Sequence, residues 1–177
     1  MKHRSEIKFR PANGWEAVVD LVMKFELRQA KADTLLENVA TSLNPSERRL
    51  CQALFYMWLR NLSRIDWELE RWEKKKPRPV FQAVLRVAVA EILDSPADRA
   101  PKVVDFAVSS CAKIASKSEA KAANAILRRV VESISEGAFE QSAPLEVRMN
   151  HPKWLIDRWK ESFGLERAEA LMTWHNQ

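Results

Sequence analysis

The segment 80–93 constrains the fold more than any other part of this sequence, because it is apolar on almost every side of a helix. It is interrupted mainly by Gln82, Arg86 and Glu91. A surface helix shows one apolar face, whereas a helix that is apolar all round has to lie among other helices. We therefore predict that residues 80–93 form the central helix of a bundle.

The remaining sequence predicts amphipathic helices around this segment. Apolar residues recur at intervals of three and four, and no alternating strand pattern occurs. The chain has only 3 glycines, whereas strand-rich folds use glycine turns more freely. The predicted fold class is all-α, an antiparallel helical bundle. Helices are predicted over about 15–27 and 32–43, and from starts at Pro45, Pro101, Ser118, Pro152 and Leu165.

The clearest helix start is the stretch Asn44-Pro45-Ser46-Glu47. Asparagine can cap free backbone amides, proline fits the first helical position, and the glutamate three residues later can reach back. The helix that follows places an apolar stripe on one face, formed by Leu50, Cys51, Leu54, Phe55, Trp58 and Leu62.

Nothing in the residue pattern indicates a reaction. Cys51 and Cys111 both lie inside apolar stripes, which favours buried small side chains over nucleophiles. The 3 histidines are scattered and form no ligand pattern. No glycine-rich phosphate loop, catalytic triad or carboxylate pair is found. We predict no catalytic, cofactor-binding or metal site in these 177 residues.

The sequence also predicts a protein without a membrane segment. No run approaches the roughly 20 apolar residues that a spanning helix needs. The basic N-terminus is not followed by the apolar core of a signal peptide. We expect a cytoplasmic protein.

The formal net charge of +5 is concentrated in two stretches. Residues 1–10 carry Lys2, Arg4, Lys8 and Arg10 against Glu6, and residues 71–78 carry Arg71, Lys74, Lys75, Lys76 and Arg78 against Glu73. Positive charge concentrated on an otherwise slightly acidic body is typical of a polyanion partner, most often nucleic acid. The alternative is that these lysine-rich stretches are solvated loops that serve solubility.

A third group of cations is predicted on the helix that follows Ser118. Its inner face is apolar, and its outer face carries Lys121 and Arg128 nearly in line, with Arg129 to one side and Lys117 just before them. We call Lys117, Lys121, Arg128 and Arg129 the basic ridge. The candidate nucleic-acid-binding residues are these four together with Arg4, Lys8, Arg10, Lys74, Lys75, Lys76 and Arg78. Trp72 could stack on a base, but its place in an apolar stripe favours core packing.

Residues 121–129, Lys-Ala-Ala-Asn-Ala-Ile-Leu-Arg-Arg, are similar to the helix signature of the NusB family. Leu85-Arg86 resembles the buried helix of that family, and Glu47-Arg48-Arg49-Leu50 with Leu59-Arg60 resembles another of its helices. The resemblance covers about residues 15–135 and implies a NusB-like RNA-binding bundle. The chain departs from the family where Ala122-Ala123 precede the asparagine and where Asp105-Phe106 replace the usual Asn-Glu.

The tail resembles one branch of this family. Residues 151–159, His-Pro-Lys-Trp-Leu-Ile-Asp-Arg-Trp, followed by Phe163-Gly164, are similar to the connector of small-subunit rRNA cytosine-C5 methyltransferases of the Sun/Fmu (RsmB-like) family. That resemblance implies an rRNA-docking domain over 1–135, a linker over 136–150 and a helical connector over 151–177. We expect the protein to continue past Gln177 into an absent methyltransferase domain that uses S-adenosylmethionine. The implied partner is 16S rRNA.

Two other functions stay open. A NusB-type transcription antitermination factor would bind RNA together with a ribosomal protein, and it would share the bundle and the basic charge. A protein–protein module without an RNA role would dock through the tryptophans of the tail, Trp154, Trp159 and Trp174.

Overall fold

The computed structural model describes residues 9–28, 31–39, 43–72 and 77–175. Over these residues the chain forms eleven α-helices, one 3-10 turn at Ala97–Arg99 and no strand, which confirms the all-α prediction. The helices are α1 (Gly14–Arg28), α2 (Ala32–Glu37), α3 (Pro45–Arg60), α4 (Leu62–Glu70), α5 (Pro79–Asp94), α6 (Ala100–Ile114), α7 (Lys117–Ser135), α8 (Ala138–Ser142), α9 (Leu145–Arg148), α10 (Lys153–Phe163) and α11 (Leu165–His175).

Helix α5 lies at the centre of the bundle, as its sequence predicts. It packs against α1, α3, α4, α6 and α7. Its side chains are buried on all sides, and Val84 and Leu85 are fully shielded from solvent. Removing one such side chain from water contributes about 1.5–3 kcal/mol to the free energy of folding. The bundle is therefore built around α5.

Arg86 is the one charged side chain that α5 buries. Its guanidinium donates to the carboxylate of Asp66 in α4 through Nε at 2.8 Å and NH2 at 3.1 Å. It also donates through NH1 to Glu26 in α1 at 2.6 Å. Burial raises the pKa of the Asp66 carboxyl, and the attraction to Arg86 opposes that shift. One guanidinium thus joins three helices.

The start of α3 has the predicted capping box. The Asn44 side chain accepts from the Glu47 amide at 2.9 Å, and the Glu47 side chain accepts from the Asn44 amide at 3.2 Å. Helix α1 begins against this turn: a Cβ added at Gly14 would lie 2.4 Å from the Glu47 carbonyl oxygen. Only glycine permits this close approach of the two backbones.

Three local predictions are wrong. Helix α2 ends at Glu37 and not near residue 43. The side-chain amide of the next residue, Asn38, donates to the Thr34 carbonyl at this end of the helix. Leu50 is 45% exposed, because it lies about 100° around α3 from Cys51 and so outside the buried face. The cap of α7 is Ser116, whose extended backbone lets its hydroxyl accept from the Glu119 amide at 3.1 Å, and it is not Ser118.

The segment predicted as a linker, 136–150, contains the short helices α8 and α9. Phe139 is buried and meets Trp67 of α4 edge-on, with 5.5 Å between ring centroids. Asn150, which has a left-handed φ of 51°, accepts from the Ser63 amide at 3.1 Å. The segment is therefore fixed to α4, while the predicted domain limits at 135 and 150 stay a prediction.

Helices α10 and α11 pack on each other around a second, small core. Ile156, Ala168 and Met172 are its buried residues, and Leu145, Met149 and Trp159 are packed against them. The outer surface of the pair exposes large apolar side chains, namely Trp154, Phe163, Leu165 and Trp174. The predicted connector therefore folds as a helical hairpin beside the bundle.

None of the helices in the described part of the chain combines the length and the apolar character that crossing a bilayer requires.

The Arg86 cluster gives a test of what holds α5 in place. The change Arg86→Met leaves the carboxylates of Glu26 and Asp66 without their cation, so we expect the free energy of unfolding in urea to fall by about 2–4 kcal/mol. We expect a smaller loss of stability than for breaking a fully buried ion pair, because both carboxylates are about one-third exposed. The control is Arg99→Met, which alters an exposed arginine without an ion pair in the described chain and should change stability by less than about 0.5 kcal/mol. Equal stabilities for wild type and Arg86→Met would contradict a stabilising role of the Arg86 ion pairs.

Candidate nucleic-acid interface

The predicted RNA-binding residues fall into two groups. Arg4, Lys8, Lys74, Lys75 and Lys76 lie outside the described residues. The other six are described and exposed, namely Arg10, Arg78, Lys117, Lys121, Arg128 and Arg129. Four of these six lie on α7, so the interface is built from that helix.

Helix α7 is positioned by its apolar face. Ala123, Leu127 and Val130 are fully buried in the main core, and α6 packs along the same helix. Its exposed side carries Lys117, Lys121 and Arg128, whose spacings of four and seven residues keep them nearly in line. At 1.5 Å per residue the three cations extend over about 16 Å. We call Lys117, Lys121 and Arg128 the basic track.

No member of the basic track forms an ion pair with another described residue. The side chains of Lys117 and Lys121 make no hydrogen bond within the described part of the chain either. The Nε of Arg128 donates to the Asn124 side-chain oxygen at 3.0 Å. The three cations of the track are therefore exposed and form no ion pair with a described carboxylate.

Arg129 points away from this track. Its guanidinium carbon lies 5.2 Å from the ring centroid of Trp72, and Arg71 lies over the same ring at 5.4 Å. Trp72 is partly buried and packs against the main core, as the sequence favours. A cation held over an aromatic face gains about 0.5–1 kcal/mol at an exposed site. The basic ridge thus separates into the three-residue track and one arginine that stacks on Trp72.

Arg78 is also committed to a contact inside the chain. Its Nε donates to Glu119 Oε1 at 2.8 Å, and its NH2 pairs with the other carboxylate oxygen. Hydrogen bonding to Arg78 lowers the pKa of Glu119. This ion pair joins the residue before α5 to the first turn of α7, and it leaves less of the Arg78 charge for a ligand. The role of Arg78 in RNA binding stays a prediction.

The sequence did not indicate a cavity that lies between α6 and α7. It measures about 170 Å³ and is lined by Pro101, Val104, Asp105, Arg128 and Val131. Its two sides come from helices that run side by side, so its lining residues are distant in sequence. The one available signal was Asp105, an exposed carboxylate beside an apolar stripe.

Both cysteines are buried, which confirms their prediction as core residues. Burial raises the pKa of Cys51 to about 11 and that of Cys111 to about 11. A thiol with such a pKa stays protonated at neutral pH and is a poor nucleophile. Among the described residues, no three histidine, cysteine, aspartate or glutamate side chains come together in a way that could hold a metal ion.

Comparison with known proteins identifies the bundle. A sequence model of the NusB family matches residues 14–132. This chain belongs to the NusB family. The resemblance found in residues 121–129 is thereby confirmed, and the matched range ends within α7.

One relative is similar to this chain over most of its length. The chain is 29% identical over 169 residues to the probable ribosomal RNA small subunit methyltransferase B of Bacillus subtilis (strain 168). The match covers 90% of this chain and 37% of the relative. The chain therefore spans little more than a third of that relative, and it is similar to it well beyond the NusB range.

The Arg78–Glu119 pair predicts a pH dependence. The folded-state pKa of Glu119 is lowered below its usual 4.5, so the pair stabilises the fold above that pH. The contribution disappears as pH falls through the lowered value. We expect the change Glu119→Gln to reduce the melting temperature at pH 7 and to make little difference in acid, once the pH lies below the lowered pKa of Glu119.

The control is Glu166→Gln, at an exposed glutamate without an ion pair among the described residues. Its melting temperature should match wild type at both pH values. A difference between wild type and Glu119→Gln that is as large in acid as at neutrality would contradict the ionic origin of the effect.

Proposed function

We propose that this chain is the rRNA-docking domain of an rRNA (cytosine-C5) methyltransferase and that it does not contain the catalytic domain. The observation that carries the proposal is the match to the Bacillus methyltransferase over 90% of the chain. A match of that extent passes beyond residue 132, where the NusB range ends, and has to include part of the predicted connector 151–177.

The electrostatics of α7 support the RNA-binding part of the proposal. The basic track places three exposed cations without ion pairs to described residues on one line. Lysine and arginine bind RNA by neutralising phosphates and releasing counterions, which gives affinity that depends on salt more than on sequence. Folded RNA is recognised mainly through its shape and backbone, so a helical surface of this kind can hold rRNA.

The proposal also includes the other predicted cations. Arg10 is exposed just before α1, and the stretches that contain Arg4, Lys8, Lys74, Lys75 and Lys76 would add positive charge. We assign 16S rRNA as the target, in the cytoplasm. S-adenosylmethionine and the cysteine nucleophile that adds to cytosine would belong to the part of the enzyme outside this chain. The buried, protonated thiols of Cys51 and Cys111 support that division.

Transcription antitermination with a ribosomal protein is the second candidate. The NusB family match is compatible with it. It leaves the folded α10–α11 hairpin unexplained, whereas a connector to a further domain accounts for its exposed apolar side chains. Capture of a ribosomal protein by the purified chain would favour this second function.

The test is a filter-binding titration of the chain with 16S rRNA over a series of salt concentrations. We expect binding at low salt, with an observed binding constant that falls steeply as salt rises. The change Lys121→Gln should weaken binding and reduce the slope of the logarithmic salt plot by about 1, and the double change with Lys117→Gln by about 2.

Arg158→Gln is the matched control, because Arg158 is exposed on α10 and has no ion pair with a described residue. Its affinity and salt slope should equal those of wild type. Failure of the wild-type chain to bind rRNA at low salt would remove both RNA functions. It would leave a protein–protein module as the remaining hypothesis.

A further inference from the structure

The cavity between α6 and α7 combines apolar walls with two polar groups of opposite charge. Pro101, Val104 and Val131 supply the apolar surface, and Asp105 and Arg128 supply a carboxylate and a guanidinium. Its volume of about 170 Å³ is below the about 300–1,000 Å³ of pockets that hold drug-sized molecules. A flat, polar-edged group of the size of one nucleobase suits such a space.

The basic track leads to this cavity. Lys117 and Lys121 lie on the two N-terminal turns of α7, and Arg128 belongs both to the track and to the cavity lining. The hydrogen bond from Arg128 Nε to Asn124 fixes the guanidinium, and its NH1 and NH2 groups have no partner within the described chain. A row of cations that leads to an apolar recess can hold a single RNA strand, with its phosphates on the cations and one base in the recess.

We propose that this cavity binds one base of a single-stranded RNA segment whose backbone follows Lys117, Lys121 and Arg128. The inference rests on the proposed function, which requires RNA binding, and adds that the binding site distinguishes between bases. An apolar recess takes the face of any base, so the polar groups at its edge decide which base fits best.

The two polar groups favour cytosine over uracil. A carboxylate accepts hydrogen bonds only, and Asp105 would pair with the exocyclic amine of cytosine, as acidic side chains do in nucleic-acid recognition. Arg128 donates only, and it would pair with a ring or carbonyl acceptor of the same base. Uracil has no exocyclic amine and would leave Asp105 facing a carbonyl oxygen. This docking base is distinct from any base that the proposed enzyme would methylate.

Binding of end-labelled RNA decamers, followed by fluorescence anisotropy at low salt, tests the inference. We expect the full chain to bind oligocytidine about fivefold or more tightly than oligouridine. The change Val131→Phe fills the cavity without altering charge, so it should weaken oligocytidine binding about tenfold and abolish the preference. The salt slope should stay that of wild type, because no phosphate contact is lost.

A second change keeps the test valid if Val131→Phe disturbs folding, which circular dichroism would show. Asp105→Asn keeps the cavity volume, and it should bring the two oligonucleotides to nearly equal affinity by removing the acceptor-only group. The control is Ala53→Phe, which introduces a phenylalanine without altering charge at an exposed position of α3 that does not line the cavity. Its affinities and its preference should match wild type.

The outcomes separate this inference from the proposed function. Binding of both decamers with equal affinity, unchanged by Val131→Phe but weakened by Lys121→Gln, would overturn the base pocket and keep the RNA-binding function. No binding of rRNA or decamers at low salt would overturn both. Displacement of oligocytidine by a polyglutamate peptide of equal charge, itself weakened by Val131→Phe, would assign the cavity to an acidic protein segment and overturn the base pocket.

Discussion

The architecture depends on the burial of α5 together with the single cation that it carries. A helix that is apolar all round has to be covered on every side, and a guanidinium within it has to find carboxylates on its neighbours. Arg86 finds them on α1 and α4, through Glu26 and Asp66. These contacts decide which helices cover one side of α5 and leave another side to α6 and α7. The position of α7, and with it the basic track, follows from how α5 is covered.

The surface charge of α7 is a consequence of the same burial. Its core contacts fix the rotation of the helix about its axis, so Lys117, Lys121 and Arg128 lie on its exposed side. Ser116 and Glu119 fix where the helix begins, and Glu119 in addition binds Arg78. The start of α7 is thereby joined to the start of the central helix. A surface held in this way is preorganised, which reduces the entropy cost of binding a flexible polyanion.

Local patterns predicted those parts of the structure in which one segment suffices. The all-round apolar character of 80–93 predicted the central helix, the Asn44–Glu47 spacing predicted the capping box of α3, and the spacing in α7 predicted cations in line. Features that need two distant segments were not predictable. Arg78 and Glu119 are separated by 41 residues, Trp72 meets Arg129 across two helices, and the cavity exists only where α6 packs on α7. Side-chain direction and helix packing decide these contacts, and neither can be predicted from the spacing of residues within one helix.

The contacts that engage the exposed Arg78 and Arg129 with other residues of the chain also change what kind of RNA recognition the bundle can provide. Charges spread over a whole surface give affinity for any polyanion and carry no information about sequence. Ion pairing and stacking leave three cations in line, and such a line would give a bound RNA strand a defined direction and position along α7. Discrimination then requires an acceptor and a donor beside an apolar space, and Asp105 and Arg128 flank such a space beside the track. Affinity and selectivity can therefore arise on neighbouring parts of the same two helices, while the buried thiols of Cys51 and Cys111 stay protonated and are poor nucleophiles.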